Sequence, residues 1–449
     1  MADDERKQNR LKILASALER GTIANVRSML NGLHPAEIAH LLESMPQPQR
    51  RLLWDLVDPE LDGDILIHVN DELRASLIME MDPDELVAAT EGLEPDDLAD
   101  IIGDLPDVVI SEVLQSMDEQ NRQRLESIMS YPDDTAGGLM NTDTITIRPD
   151  VTIDVVLRYL RRHGAVPDMT DNLFVVDRKD RYLGQLPLTV LLTQQPGVSV
   201  AEVMSRETAG IAASMKVGEV ASMFEHRDLI SAPVIDDSQR LLGRITIDDV
   251  VDVIRDQTEH TMMSMAGLDQ RDDMFAPVFV SARQRSVWLG INLLTALLAS
   301  WVIGLFENTL NQIVILAVLM PIVASMGGIA GSQTLTLVIR GIALGYIGGS
   351  NARQLLYKEL AVSLLNGLLW ALIVAVVVVA WFGNTQIGFV IAVAIIINLL
   401  CAAFAGATIP MLLRRLGADP ALGGSVMLTT VTDVVGFVVF LGLATFFLL

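Results

Sequence analysis

Cysteine is almost missing from this chain. The single Cys401 falls in an apolar stretch, so no disulfide forms within the molecule. Histidine is scarce as well. Residues 34, 40, 68, 163, 226 and 260 are scattered with no cysteine to join them, which argues against a zinc enzyme. Positive charge is in short supply, with 32 Lys and Arg against 56 Asp and Glu, a net of −24. Such a surface disfavours nucleic acid and anionic membrane and favours cations or basic partners. The opening "MADDERKQNR" lacks a signal peptide's apolar core, so the front of the chain is expected in the cytoplasm.

Charge of either sign is nearly absent from one region. Residues 287–449 carry five basic side chains (Arg340, Arg353, Lys358, Arg414, Arg415) and four acidic ones (Glu307, Glu359, Asp419, Asp433). Residues 1–286 hold the remaining 27 basic and 52 acidic side chains, a net of −25. An acidic soluble front therefore precedes an almost uncharged back.

The front opens with a repeat. "LHPAEIAHLLESM" from Leu33, "VNDELRASLIMEM" from Val69, "MDPDELVAATEGL" from Met81 and "LEPDDLADIIGDL" from Leu93 start at multiples of 12 residues from one another. Three of them place Pro in the first helical turn, where its missing N–H is harmless. Each phrase predicts a short amphipathic helix, and stacking them gives a helical solenoid over residues 1–133 with no catalytic constellation in it.

The rhythm then changes to a duplicated β-α-β-β-α unit. "LFVVD" (Leu173–Asp177) and "SAPVID" (Ser231–Asp236) read as strands, each leading through a polar turn into another. "DRKDRYLGQLPL" and "DSQRLLGRITI" occupy equivalent places about 60 residues apart. The pattern resembles a CBS-domain pair, with copies over 134–198 and 199–258. A linker helix and connection over 249–286 follow.

Five apolar segments, near 287–306, 313–340, 359–382, 387–413 and 425–448, are each long enough to span about 30 Å of hydrocarbon. Three basic edges (Arg283/Arg285; Arg340/Arg353/Lys358; Arg414/Arg415) predict cytoplasmic ends and leave the C-terminus outside. The last segment contains the one acid deep in any predicted span, Asp433. A carboxylate at mid-bilayer costs about 2.5–3.5 kcal/mol on insertion scales, so it normally faces a protein-lined or watery interior. A two-fold dimer places two copies across one axis, an anionic ring of the kind that attracts cations. The alternative is an aspartate hydrogen-bonded between helices for packing. Ser332, Gln333 and Thr336 on the second segment either face the same axis or serve as helix–helix glue.

"DDTAGGLM" (Asp133–Met140), "APVID…GRITIDDVVDVI" (Ala232–Ile254), "GSQTLTLVIRG" (Gly331–Gly341), "LLRRLGADPAL" (Leu412–Leu422) and "TTVTDVVG" (Thr429–Gly436) occur in this order. Together with the domain sequence, they make the chain resemble the MgtE-type magnesium channels along its whole length. The resemblance implies a multidomain α plus α/β membrane protein: solenoid, CBS pair, linker helix and a five-span pore domain over 287–449. It implies a homodimer in an inner membrane that admits Mg²⁺ and closes when cytoplasmic Mg²⁺ is plentiful, with no enzymatic step. In the family's pattern, Asp433 holds the hydrated ion with the Thr429 carbonyl, and Ser425 lies near the pore mouth. Asp419 serves a cation site beneath the pore, and it is also placed to cap the helix that Pro420 begins. Asp64, Asp96 and Asp100 of the solenoid match acids that bind regulatory cations, as do Asp228, Asp249 and Asp252 of the second CBS copy. In the linker, Glu259 and Asp256 are the candidates. CBS pairs also bind ATP, and Gly243, Thr246 and Asp249 fit the Gly-x-x-Thr-x-x-Asp arrangement. The first copy carries only Leu188, Thr189 and Val190 at the contacting places.

This chain departs from the pattern at four places. Ile329 stands where an asparagine is usual, and "GGSV" (Gly423–Val426) replaces the usual pore-mouth residues. Lys216 and Gly218 stand where acids are common, and the linker "RDQTEHTM" is less acidic than usual. Two rival readings follow: a channel for Co²⁺ or Mn²⁺, and a membrane-anchored metal or nucleotide sensor that conducts nothing. Oxygen-only ligands argue against selective zinc or copper handling.

Overall fold

The structure is a computed structural model and describes residues 23–449 except 31, 91, 92, 94, 104, 118, 165, 168, 269–274, 276, 277, 349 and 350. It divides into two units. The first comprises Met1–Thr258 with Arg271–Ala276, and the second Glu259–Gln270 with Pro277–Leu449.

The four repeated phrases become the helices Pro35–Glu43, Asp71–Ile78, Pro83–Thr90 and Pro95–Ile102. Local chemistry sets their starts. Asn70 Oδ1 accepts the Leu73 N–H at 3.0 Å. Asp82 and Glu85 accept each other's backbone N–H at 3.0 Å in a reciprocal cap. At the first helix Glu37 Oε2 accepts the His34 N–H at 3.2 Å, and His34 Nδ1 accepts that of Ala36 at 3.3 Å. Each helix is too short to be stable alone, so the solenoid depends on a shared core containing Ile38, Leu42, Leu53, Ile65, Leu73 and Ile78.

Two three-stranded sheets follow. The first runs β1 (Thr146–Ile147), β2 (Asn172–Val176), β3 (Tyr182–Pro187); the second runs β4 (Ile211–Ala212), β5 (Ser231–Ile235), β6 (Leu241–Thr246). In both, the outer pair is parallel across a helix (Ile153–His163 or Val217–Arg227) and the hairpin pair is antiparallel. The duplication extends to single atoms. Asp177 Oδ1 accepts the N–H of Lys179 and Arg181, and Asp236 Oδ1 those of Ser238 and Arg240. The following turns place Asp180 and Gln239 at φ +59° and +64°. The two hairpins then exchange equivalent bonds, Tyr182 N–H to Gln239 O at 2.9 Å and Leu241 N–H to Asp180 O at 3.0 Å. "DDTAGGLM" docks on the second copy, where Ala136 and Gly137 donate to Met215 O and Ala213 O. A Cβ at Gly138 would lie 2.7 Å from the Pro132 carbonyl, so the tight turn requires glycine there.

In the second unit, five helices are long and apolar enough to cross a membrane: Val278–Gly304, Ile315–Ala343, Ala352–Phe382, Thr385–Arg415 and Pro420–Leu448. The fourth is the most enclosed, and its small residues permit close approach to the second. A Cβ on Gly406 would lie 2.7 Å from the Gly331 carbonyl and 3.1 Å from Thr334 Cβ. The third span begins at Ala352, two turns before the expected 359, which carries Glu359 inward.

Gly406→Val should therefore overpack this crossing and cost about 1–3 kcal/mol. Gly442→Ala, with no atom within 4 Å of the added carbon, serves as the control. Thermal unfolding of the detergent-solubilised protein should show a clearly lowered midpoint for Gly406→Val alone. Equal midpoints for the two variants would mean that the backbones do not meet at this point.

Candidate functional site

The second span has two distinct faces. Leu319, Val323, Gly327, Gly331, Thr334, Leu335 and Val338 are buried. Ser325, Ile329, Ser332, Gln333 and Thr336 recur at the opposite helical positions and are exposed within the single chain. Ser332, Gln333 and Thr336, with Leu337, line an open hollow of about 510 Å³. Ile329, 57% exposed, extends the same face by one turn, so the apolar replacement lies in line with the polar strip.

The fifth span contributes a second strip. Ser425, Thr429 and Asp433 follow at intervals of four, which places them along one side of the helix. Thr429 Oγ1 donates to the Ser425 carbonyl at 2.9 Å, and the buried Thr432 donates to the Thr429 carbonyl at 3.1 Å. Within the helix that carbonyl also takes the backbone N–H four residues on, so both of its lone pairs are engaged. Asp433 is half-buried, and its carboxylate has neither a hydrogen bond nor an ion pair among the described residues. The packing role, an aspartate bonded between helices, therefore lacks a partner within the chain. The two strips belong to neighbouring helices, since a Cβ on Gly331 would meet Leu428 at 2.8 Å. Asp433 does not line the hollow at Ser332.

At the start of the fifth span, Asp419 divides its oxygens. Oδ1 accepts the Ala421 N–H at 2.9 Å and caps the helix, while Oδ2 has no hydrogen-bond partner. Oδ2 stands 3.9 Å from Nε2 of His260, near the end of the linker helix Ile247–Met265. Glu259 is the exposed residue just before it. Met265 packs against a cluster containing Leu335, Ile409, Ala421 and Leu428.

A second carboxylate in the membrane-type unit escaped the sequence reading. Glu359 is 5% exposed, more buried than Asp433, and its Oε2 accepts from Thr334 Oγ1 at 3.2 Å. Lys358 Nζ lies 3.4 Å from its other oxygen. Glu359 thus ties the third span to the rear of the second. The "KE" dipeptide signals it only once the span is known to start earlier.

In the first unit, acids of the solenoid meet acids of the second CBS copy. Asp249 is pushed up to about 7, chiefly by burial and then by Asp248 and by Asp97 of the solenoid. Thr246 opposes that rise, its hydroxyl donating to Asp249 Oδ2 at 2.9 Å. Partial desolvation lowers the pKa of His68, against the pull of Asp252 and Asp64, with Arg255 and His34 also close enough to act on it. Arg255 pairs with Asp252 at 3.6 Å. Asp96 and Asp100 stand on the helix Pro95–Ile102, and their side chains lie outside the described residues. Among the described residues, the solenoid acid that bears on Asp249 is Asp97. Asp228 is exposed at the left-handed end of the helix Val217–Arg227. Lys216, in place of an acid, pairs with Asp134.

Among the described residues, no three His, Cys, Asp or Glu side chains gather as a ligand group. Paired carboxylates suit Mg²⁺ none the less, because it keeps several waters and takes only one or two protein oxygens. For the nucleotide arrangement, intrachain packing already accounts for each residue. A Cβ on Gly243 would lie 2.6 Å from the Asn141 carbonyl, just as one on Gly184 of the first copy would lie 2.3 Å from that of Ser205. Thr246 and Asp249 bond to each other.

The Asp249 shift has a definite sign. A carboxyl raised in the folded state contributes stability that is fully present below its ordinary value of 3.8 and is lost as pH rises through about 7. A divalent cation must displace that proton at pH 6 but not at pH 8. Protection of the full-length protein from trypsin should therefore need on the order of tenfold more Mg²⁺ at pH 6 than at pH 8. Asp249→Asn should flatten this dependence. Asp62→Asn should leave it in place, although Asp62 is also pushed up to about 7, by burial, Glu85 and Asp58. An unchanged pH dependence in Asp249→Asn would remove this acid from the cation site.

Comparison with known proteins covers the same parts in the same order. The "MgtE intracellular N domain" model matches residues 33–134, the "CBS domain" model 136–194 and 200–256, and the MgtE "Divalent cation transporter" model 320–443. The magnesium transporter MgtE of Bacillus subtilis is 26% identical over 96% of both chains. A solved cytosolic domain of the Mg²⁺ channel MgtE in complex with ATP is 30% identical, covering 54% of this chain and 98% of that one at a TM-score of 0.49. The magnesium transporter MgtE of Thermus thermophilus is 30% identical over 96% of this chain and 97% of its own length, and on that match the chain belongs to the MgtE family of magnesium transporters.

Proposed function

We propose that this chain forms a homodimeric Mg²⁺ channel in a bacterial-type inner membrane, admitting the ion to the cytoplasm and closing when cytoplasmic Mg²⁺ binds its soluble part. One observation carries the reading: Asp433, a half-buried carboxylate in the middle of an apolar span with no partner among the described residues. Two such groups across a dimer axis attract a cation that retains its water, and the hydroxyl strip of Ser425 and Thr429 offers that water oxygen acceptors. The full-length relatives named as magnesium transporters support Mg²⁺ as the ion. Orientation follows from the basic residues Arg340, Arg353, Lys358, Arg414 and Arg415, which lie at or between span ends that share one side.

Closure rests on the acids that face one another in the first unit. Asp97 beside Asp249, and Asp64 with Asp252 around His68, oppose like charges, so a divalent cation favours the arrangement in which they meet. A ligand with such differential affinity shifts the population towards that arrangement. The proposal does not extend to ATP, since Gly243, Thr246 and Asp249 have roles within the chain.

Asp433→Asn retains the side chain's size and removes its charge. In liposomes containing purified protein, Mg²⁺ influx should fall by about tenfold or more while the elution volume stays that of the wild type. Wild-type influx from this variant would rule out Asp433 as the ion-attracting group. For closure, combined replacement of Asp96, Asp100 and Asp249 by Ala should keep the channel conducting at high cytoplasmic Mg²⁺. Normal closure of the triple variant would assign these acids to a solvated surface.

A further inference from the structure

Asn398 lies in the middle of the fourth span and exposes none of its surface. An amide is an expensive choice for the interior of an apolar bundle, because it brings two donor hydrogens and an acceptor oxygen where leucine brings none. Its Nδ2 donates to the carbonyl of Val323, in the second span, at 2.9 Å. Since that partner only accepts, the nitrogen must be the atom that faces it, which fixes how the amide points. Oδ1 finds no donor.

On either side of the amide is a glycine from a different helix. A Cβ on Gly327 of the second span would lie 2.3 Å from Nδ2, and one on Gly436 of the fifth span 2.8 Å from the same atom. The side chain therefore fills a slot between two bare backbones, each of which must be glycine to admit it. Gly436 is one helical turn beyond Asp433, and Gly327 lies less than two turns before Ser332. One residue of the fourth span thus touches the second and fifth helices beside their two polar strips.

We infer that Asn398 is a positioning residue for ion selection. Its amide fixes the register of the second span against the fifth, and with it the spacing of Ser332, Gln333 and Thr336 from Asp433. It contacts neither strip and is not itself an ion ligand. Sliding or rotating the second span would break a buried hydrogen bond and drive the amide into a glycine backbone. The register is therefore held from behind, leaving the polar faces free for the ion. This inference rests on the channel reading above. The bland alternative is an amide that merely glues helices together, as many do in membrane bundles. Glue affects stability alone, whereas a positioning residue affects which ion passes.

The test uses full-length protein in liposomes and compares Mg²⁺ with Co²⁺ influx. Asn398→Leu removes the hydrogen bond at similar bulk, and Gly327→Ala keeps the amide but displaces it by one methyl group. Both should elute as the wild type does, still conduct, and lower the Mg²⁺ to Co²⁺ ratio on the order of threefold or more. Gly290→Ala in the first span, with nothing within 4 Å of the new carbon, should leave the ratio unchanged. If Asn398→Leu aggregates, Gly327→Ala decides the matter. Conduction with a wild-type ratio in the folded variants overturns the proposal, and so does aggregation of both, since a positioning residue leaves the fold standing. A wild-type protein that passes no divalent cation is recognised in its own arm; it overturns the channel reading and this inference with it.

Discussion

Placing Asp433 halfway along the fifth span costs several kcal/mol unless water or a counter-charge reaches it, and no side chain among the described residues supplies that counter-charge. Much of the second unit follows from that constraint. The carboxylate must stay on a face that is not packed, so the helices behind it must pack closely without covering it. Glycines at 327, 331, 406 and 436 make this possible: Gly406 lets two backbones approach, and the other three admit the side chains of Asn398 and Leu428 from neighbouring helices. The second span is held on its rear face at two points, by Asn398 at Val323 and by Glu359 at Thr334. Those points are 11 residues apart, just over three full turns, and so lie on one side of the helix. The side that remains carries Ser332, Gln333 and Thr336.

The soluble unit meets the opposite problem. It has carboxylates in excess and brings several of them close together without losing the fold. Short capped helices and a duplicated sheet provide the frame that carries those acids. Arg255 moderates the repulsion around Asp252. Asp249, by contrast, sits where burial pushes it up to about 7, so that it is partly protonated near neutral pH.

Repetition made most of the architecture legible. Proline in the first helical turn marked three solenoid helices at Pro35, Pro83 and Pro95, and the paired turns after Asp177 and Asp236 marked the duplication. Unbroken apolar runs gave five spans. Isolated residues were harder to read. Ala352–Lys358 mixes charge with leucine, so hydropathy started the third span at its first long apolar run and left Glu359 on the rim. A lone asparagine in an apolar stretch carries no periodic signal, and only the neighbouring glycines of other helices give Asn398 its meaning. Asp96 and Asp97 share a helical turn, and spacing alone does not say which one faces Asp249. The polar strips were visible as residue types, but their common exposure needed the third dimension.

Asp419 has one oxygen committed and one to spare. The committed oxygen holds the first N–H of the fifth span, and the other points towards the linker helix at His260. An α-helix is stiff along its axis, and Asp433 lies 14 residues further on, about 21 Å at 1.5 Å per residue. Whatever engages the spare oxygen therefore pulls on the end of a rod whose midpoint carries the Asp433 carboxylate. A small displacement at Asp419 is transmitted as a shift in the height of Asp433, with no rearrangement of side chains between them.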